Sequence, residues 1–316
     1  MSAFSAAWLE LREPFDAAAR AASLVAEIKR HVTPGTNDAP FAIVDLGAGA
    51  GSNLRYLAPL LGGVQRWRLV DHDARLLEAA LTTTHAWATA RGAEAQRSGS
   101  SLAIRAADFA CAMTCERIDL KDLGGVELPA GGLVTAAALL DLVSHDWLES
   151  LARRCRTARA AIVLALTYDG RTTAKPAEPE DPIVLAMFNR HQLFDKGFGP
   201  ALGLRAADAA ETAFEGHGYE LRVATSDWLI RPNDQALQLA LLDGWLGAAL
   251  EIAPESRAAL TSWHQRRRAH VLAGRSELRV GQVDLVAGEA LLARRDAQVG
   301  QHLQHRLAGD AGEHRR

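Results

Sequence analysis

The chain has 316 residues, of which 48% are hydrophobic and 23% charged, and a formal net charge of -3. That length suits one α/β domain with additions or two small domains, and the charge gives no general electrostatic draw toward nucleic acid. No apolar run approaches the ~20 residues of a membrane span, Glu10, Arg12, Glu13 and Asp16 come too early for a signal peptide, and Cys111, Cys115 and Cys155 form neither a disulfide framework nor a zinc spacing.

A cytoplasmic protein with no membrane, nucleic-acid or metal partner is therefore expected. Lysine occurs only at positions 29, 121, 175 and 196, so arginine supplies the rest of the basic count. Individual arginines carry correspondingly little functional weight.

Residues 1–40 read as an N-terminal helical cap. Trp8, Leu11, Phe15, Ala18, Ala22, Val25 and Ile28 recur every three or four positions, the period of a one-faced helix. Pro14 predicts a short helix followed by a longer one that starts near it. Arg12, Asp16 and Arg20 share a face. Their simpler reading is a solvated ion-pair ladder; the other is a cap over a ligand, with Arg12 as a substrate-binding candidate. His31–Pro40 is a loop.

Phe41-Ala-Ile-Val-Asp-Leu-Gly-Ala-Gly-Ala-Gly-Ser-Asn53 is the stretch around which the chain is organised. Phe41–Val44 is a buried parallel strand, closed by Asp45. Gly47, Gly49 and Gly51 then lead into the helix Asn53–Leu61. Glycine permits positive φ and lets a ligand approach the backbone. A dinucleotide fingerprint requires glycine where Ser52 stands, and Asp45 would repel a pyrophosphate. An NAD-dependent oxidoreductase is thus the lesser alternative. Trp67–Asp71 is a second strand ending in an acid about 20 residues after the turn, where a ribose-binding carboxylate belongs. Asp73 reads as the N-cap of the helix Ala74–Ala90.

The Asp45-Leu-Gly-x-Gly-x-Gly51 pattern, followed by Asp71, resembles class I S-adenosylmethionine-dependent methyltransferases. The resemblance covers residues 41–287 in element order, with specific motifs only in the first third. It implies a Rossmann-like α/β fold: a seven-stranded sheet, last strand antiparallel, with helices on both faces. It also implies S-adenosylmethionine (SAM) as cofactor, S-adenosylhomocysteine (SAH) as product, and methyl transfer to a nucleophile. Asp45 and the glycine backbone would hold the methionine end and Asp71 the ribose. An acid after strand three would take the adenine amino group, with an apolar neighbour on the ring. The implied cofactor-binding set is Asp45, Gly47, Ala48, Gly49, Gly51, Asn53, Asp71, His72, Asp119, Leu120 and Ala138.

Further along, Arg91–Ser101 reads as a surface loop. Leu102–Ile104 and Cys111–Ile118 each qualify as strand three, or pair as a hairpin. Asp119 is preferred for the adenine, with Asp108 and Asp122 as rivals. Gly132–Ala138 is a fourth strand, and Asp141, Ser144 and His145 follow it on the crevice side. His145 is the first candidate for a general base, because an imidazole titrates near neutrality. A helix-start or surface histidine is the competing reading.

Ala160–Thr167 is strand five, and Tyr168 at its end is a substrate-binding candidate. Neither an Asn/Asp-Pro-Pro-Tyr run nor a Pro-Cys nucleophile is present, which argues against nucleic-acid methylation. Thr172–Asp181 reads as an exposed linker inside a substrate lid spanning 171–205. Within it His191 is a second base candidate, and Arg190 and Lys196 are substrate-binding candidates. Tyr219–Ile230 is strand six, and residues 233–273 form a helical insertion whose Arg266-Arg267-Arg268 reads as a solvated face. Glu277–Ala287 is the antiparallel seventh strand. Residues 288–316 form a polar tail expected to fray. The function these readings favour is a SAM-dependent methyltransferase with a small-molecule acceptor. A non-catalytic SAM- or SAH-binding protein is the first alternative.

Overall fold

A computed structural model describes residues 5–32 and 34–289, so most of the tail expected over 288–316 lies outside the described residues. Its ten-stranded mixed sheet is ordered β3-β4-β5-β2-β1-β6-β7-β10-β8, with β9 paired to β10. The strands are β1 Phe41–Leu46, β2 Gly63–Asp71, β3 Glu94–Ser98, β4 Ser101–Arg105, β5 Phe109–Arg117, β6 Leu133–Ala137, β7 Ala161–Lys175, β8 Tyr219–Thr225, β9 Trp228–Ile230 and β10 Glu277–Glu289. β1, β2, β5, β6 and β7 pair in parallel. β10 runs antiparallel between β7 and β8. The expected seven-stranded Rossmann-like sheet is therefore present, enlarged by β3, β4 and β9. β1 has β2 on one side and β6 on the other. The chain order reverses there, and open α/β sheets bind ligands at such switch points.

The central strands are apolar because helices cover both faces. On one face α2 (Val25–His31), α3 (Ser52–Leu61) and α4 (Ala74–Ala90) enclose a core containing Ile43, Leu54, Leu57, Trp67 and Leu69. On the other, α5 (His145–Ala158) and α7 (Ala206–Gly216) enclose Val44, Leu46, Leu148, Leu151, Ile162 and Phe214. Each fully buried leucine contributes about 1.5–3 kcal/mol of transfer free energy.

A third core lies beyond the carboxyl ends of the parallel strands. There α1 (Ala6–Ala19), α6 (Asp181–Gln192), α8 (Gln235–Ile252) and α9 (Arg257–Leu272) pack with β9 and the far ends of β7 and β10 around Tyr168, Trp228, Trp245 and Trp263. α1, α6, α8 and α9 thus form one helical cap over that end of the sheet. Among the described residues no helix is long and apolar enough to cross a membrane.

Several expectations need correcting. Pro14 lies inside α1, on its exposed side. The missing amide bond therefore falls toward water, and the helix breaks only at Arg20–Ala21. The two candidates for strand three form an antiparallel hairpin, with β5 as the parallel member. β3 occupies the middle of the expected Arg91–Ser101 loop and pairs with β4.

Strand six divides into β8 and β9, and Asp227 between them accepts Arg279 Nε at 2.7 Å. β7 runs on to Lys175, shortening the supposed linker. The rest of that linker is tied down: Arg266 Nε reaches Glu178 at 2.7 Å and its Nη2 reaches Glu180 at 2.6 Å. Arg267, 1% exposed, pairs with Asp181 and donates to the Pro176 carbonyl. Of the three arginines read as a solvated face, only Arg268 is left with a long contact, 3.4 Å to Asp243.

Candidate functional site

β1 delivers Asp45 to the switch point and then turns through three left-handed glycines, Gly47 (φ 65°), Gly49 (φ 52°) and Gly51 (φ 80°). L-residues avoid that region by roughly 1–2 kcal/mol, which accounts for the alternation. Gly51 also packs closely, because a Cβ there would meet the Ala80 Cβ at 3.2 Å. Leu139, just past β6, lies 3.3 Å from the Cβ position of Gly47. Leu9 of α1 lies 3.0 Å from that of Gly49, so the N-terminal helix covers the turn. Arg55 fastens the arrangement. It pairs with Glu13 of α1, and its Nη1 donates to the Ala50 carbonyl at 2.8 Å.

Asp45 is 1% exposed. Its Oδ1 accepts Asn53 Nδ2 at 2.9 Å, while its Oδ2 is buried with no partner among the described residues. Burial pushes this carboxyl up to about 7, against the opposing pull of the Asn53 bond and of Arg20. Asn53 also donates to Thr135 Oγ1 at 3.0 Å and accepts Arg20 Nη1 at 2.9 Å. Arg20 Nε lies 3.4 Å from Asp284 of β10. Asp284 in turn accepts the amides of Ala21 and Leu166, at 2.9 and 2.8 Å. One buried polar chain therefore joins β1, α3, the end of α1, β7 and β10.

This corrects the ladder reading of Arg12, Asp16 and Arg20. Arg20 turns inward. Arg12 binds Asp16 at 2.8 and 3.1 Å, but the pair is partly buried under Trp228, whose Nε1 donates to Asp16 at 3.0 Å. Arg12 lies 4.9 Å over the Trp228 ring, and burial raises the Asp16 pKa.

Asp71 ends β2 and accepts the Gly49 amide at 3.0 Å and the Asp73 amide at 2.9 Å. Each oxygen keeps lone-pair capacity for a further donor. Ala48 donates its amide to the Val70 carbonyl at 3.0 Å. His72 is largely exposed, with Nδ1 3.3 Å from Asp71 Oδ1. Asp119 follows β5, is exposed, and accepts the Lys121 amide at 3.0 Å.

Asp108 precedes β5 and so stands at the amino end of that strand, away from the crevice, which removes it as a rival. Asp122 caps a short turn through the Gly124 amide. Leu120 is 5% exposed and packs within the core that α5 covers. Ala138 has φ 52° and donates to the Ala165 carbonyl at 2.9 Å, a strained residue at the crevice end of β6.

The catalytic candidates also change. His145 begins α5, its side chain is 65% exposed, and its Nδ1 has only Asp146, at 3.9 Å. It is a helix-start surface histidine, so the general-base expectation is not supported. His191 has both nitrogens engaged, Nε2 with Glu251 at 3.0 Å and Nδ1 with Lys196 Nζ at 3.4 Å. A lysine can only donate, which puts the ring proton on Nε2 and leaves no free basic nitrogen.

Arg190 is exposed on α6 and does not join the cap interior. Tyr168 is buried, stacks edge-on with Phe188 at 5.6 Å, and donates its hydroxyl to Asn189 at 2.7 Å. Burial raises its pKa to about 12, so it is a fixed neutral wall.

Asp141, which the sequence places on the crevice side, carries a further carboxyl. It occupies the single turn Leu140–Leu142 after β6, keeps part of its surface accessible, and is pushed up to about 6 by burial. An apolar cleft lined by Thr172, Val184, Phe188, Trp245, Trp263 and Arg267 opens among the cap helices. It lies away from the glycine turn, and the Asp181–Arg267 pair leaves it no free charge.

No family model and no curated protein matches the sequence. Among solved structures the chain is similar to a cyclopropane synthase from Mycobacterium tuberculosis at 10% identity, covering 84% of this chain and 83% of that one, with a TM-score of 0.43. It is similar to a SAM-dependent methyltransferase from Thiobacillus denitrificans in complex with SAH at 13% identity, 90% and 99% coverage, and a TM-score of 0.41. A third is phosphoethanolamine N-methyltransferase 2 from Haemonchus contortus at 14% identity and a TM-score of 0.42, where 91% of this chain spans 59% of that one.

Proposed function

We propose that this chain is a SAM-dependent methyltransferase acting on a small-molecule acceptor. The observation that carries the reading is the unpartnered, buried Asp45 Oδ2 beside three left-handed glycines at the switch point of the sheet. A desolvated carboxylate with a vacant acceptor site calls for a cation. The methionine end of SAM brings an ammonium. A dinucleotide brings a pyrophosphate, which Asp45 would repel.

The residues fit SAM as a whole. Asp45 takes the ammonium, and the glycine turn lets the ligand approach without side chains in the way. Asp71 accepts the ribose hydroxyls with its remaining lone pairs. Asp119, exposed after β5, accepts the adenine amino group. When bound, SAM supplies an electrophilic methyl group on a sulfonium. Catalysis by the chain is then mainly positioning, holding the nucleophile within about 3–3.5 Å in line. α1 excludes water over the turn, and the cap favours a small acceptor over a polymer by roofing the crevice. Neither histidine is required as a base.

Calorimetric titration of SAM, SAH and NAD into the purified protein, beside an Asp71→Ala variant, tests this. Micromolar binding of SAM and SAH that the variant loses is the expected result. Binding of NAD alone, or of none of the three, refutes the assignment.

A further inference from the structure

Two opposite charges beyond the carboxyl end of β6, Asp141 and Lys196, feel each other but have no counter-ion at ion-pair distance among the described residues. Asp141 forms no ion pair and accepts no side-chain hydrogen bond among the described residues; against its burial stand its own backbone amide and the more distant charges of Arg12 and Lys196. Lys196 Nζ donates to the His191 carbonyl at 3.0 Å and approaches His191 Nδ1 at 3.4 Å, and it too lacks a carboxylate at ion-pair distance. Burial acts on both in the unfavourable sense, raising the Asp141 pKa and lowering that of Lys196.

The surrounding charged and titratable groups are already committed. Arg12 is paired with Asp16, Glu251 with His191, and Tyr168 donates to Asn189. The segment carrying Lys196 is anchored along the segment carrying Asp141. The Leu202 amide donates to the Val143 carbonyl at 2.8 Å, a Cβ at Gly199 would lie 3.5 Å from the Ser144 Cβ, and Phe198 stacks on Trp147 at 5.8 Å. The two walls are therefore fixed relative to each other, one negative and one positive, just past the strand that abuts the glycine turn.

We propose that the methyl acceptor is a small zwitterionic amine, its nitrogen held by the Asp141 carboxylate and its anionic group by the Lys196 ammonium. This rests on the methyltransferase reading. A ligand with both charges relieves both desolvated groups at once, whereas a neutral alcohol or a simple anion leaves Asp141 unpaired. Asp141 also has a chemical role. The acceptor ammonium gives one proton to Asp141 and through it to water, which frees the nitrogen lone pair. That pair attacks the methyl carbon. The N–C bond forms as the S–C bond breaks, its electron pair stays on sulfur, and the product leaves as the methylated ammonium.

Binding to SAH-saturated protein tests the idea without turnover. The calorimetric probes are glycine, 4-aminobutyrate and phenylalanine (both charges), ethylamine (amine only) and acetate (anion only). At least one zwitterion should bind tenfold or more tightly than either single-charge probe. Asp141→Asn should weaken that binding at least tenfold and Lys196→Met should reduce it to the ethylamine level, with SAH affinity within twofold of wild type in both. If SAH binds but the zwitterions do no better than ethylamine or acetate, or ignore both substitutions, the proposal is overturned. If SAH itself does not bind, the methyltransferase reading fails and takes this proposal with it.

Discussion

Replacing Asp45 by Asn should stabilise the ligand-free protein at alkaline pH while damaging its ligand site. The folded pKa of Asp45 is about 7, against 3.8 for a free aspartate. A raised carboxyl binds its proton more tightly in the folded state. Its contribution is therefore fully present below about pH 4 and is lost as pH rises through about 7. Above that, the charge is held in a dry site at a cost of at most about 4 kcal/mol. Asparagine removes the charge and keeps an oxygen for Asn53 Nδ2, but leaves an amide without an acceptor, which costs about 1–3 kcal/mol. The net gain at pH 8 is then about 1–3 kcal/mol, or several degrees of melting temperature at about 2–4 °C per kcal/mol. At pH 5 the wild-type group is protonated and the gain vanishes. Thermal melts of both proteins at the two pH values, without ligand, make the comparison. A variant less stable than wild type at pH 8, or shifted equally at pH 5 and pH 8, would show that Asp45 is not an uncompensated buried acid.

Other substitutions read other parts of the account. Gly49→Ala forces a side chain into φ 52° and against Leu9; it should cost about 1–2 kcal/mol from the backbone alone and weaken SAH binding by lifting α1, both measurable by melting and calorimetry. Asp181→Ala leaves Arg267, 1% exposed, as a buried charge with only a carbonyl; a loss of about 3–5 kcal/mol is expected in denaturant titration. His145→Ala should change neither melting temperature nor SAH affinity by more than about a degree and twofold respectively. A larger effect on turnover would restore it as a base.

The features legible in the sequence were those that local chemistry determines. An apolar run, Phe41–Val44, has to be covered on both faces, and glycines at alternate positions announce positive φ. Asp71 could be found because a strand end places its last side chain at the crevice. The partners of the long polar residues were not legible. The spacing of Arg12, Asp16 and Arg20 says that they share a helix face, but α1 ends at Ala19 and Arg20 follows a different path to Asn53 and Asp284. Arg266 and Arg267 look solvated until the Glu178–Asp181 segment arrives from 86 to 88 residues away. Leu120 and His145 sit where the resemblance wants a ligand, yet Leu120 is drawn into the core against α5 and His145 is left in water. One missed residue did leave a mark: Asp284 stands between Val283 and Leu285 in a strand buried on both sides, where a charge without a partner is costly.

The central claim is that a cationic ligand end completes Asp45. SAH should be titrated calorimetrically at pH 7 in buffers of different ionisation enthalpy, into wild type and Asp45→Asn. An ammonium against Asp45 pulls the carboxyl back down, so wild type should release about half a proton on binding. The variant should bind weakly, without that release. Binding with no proton released, or with equal release in both proteins, would contradict the account.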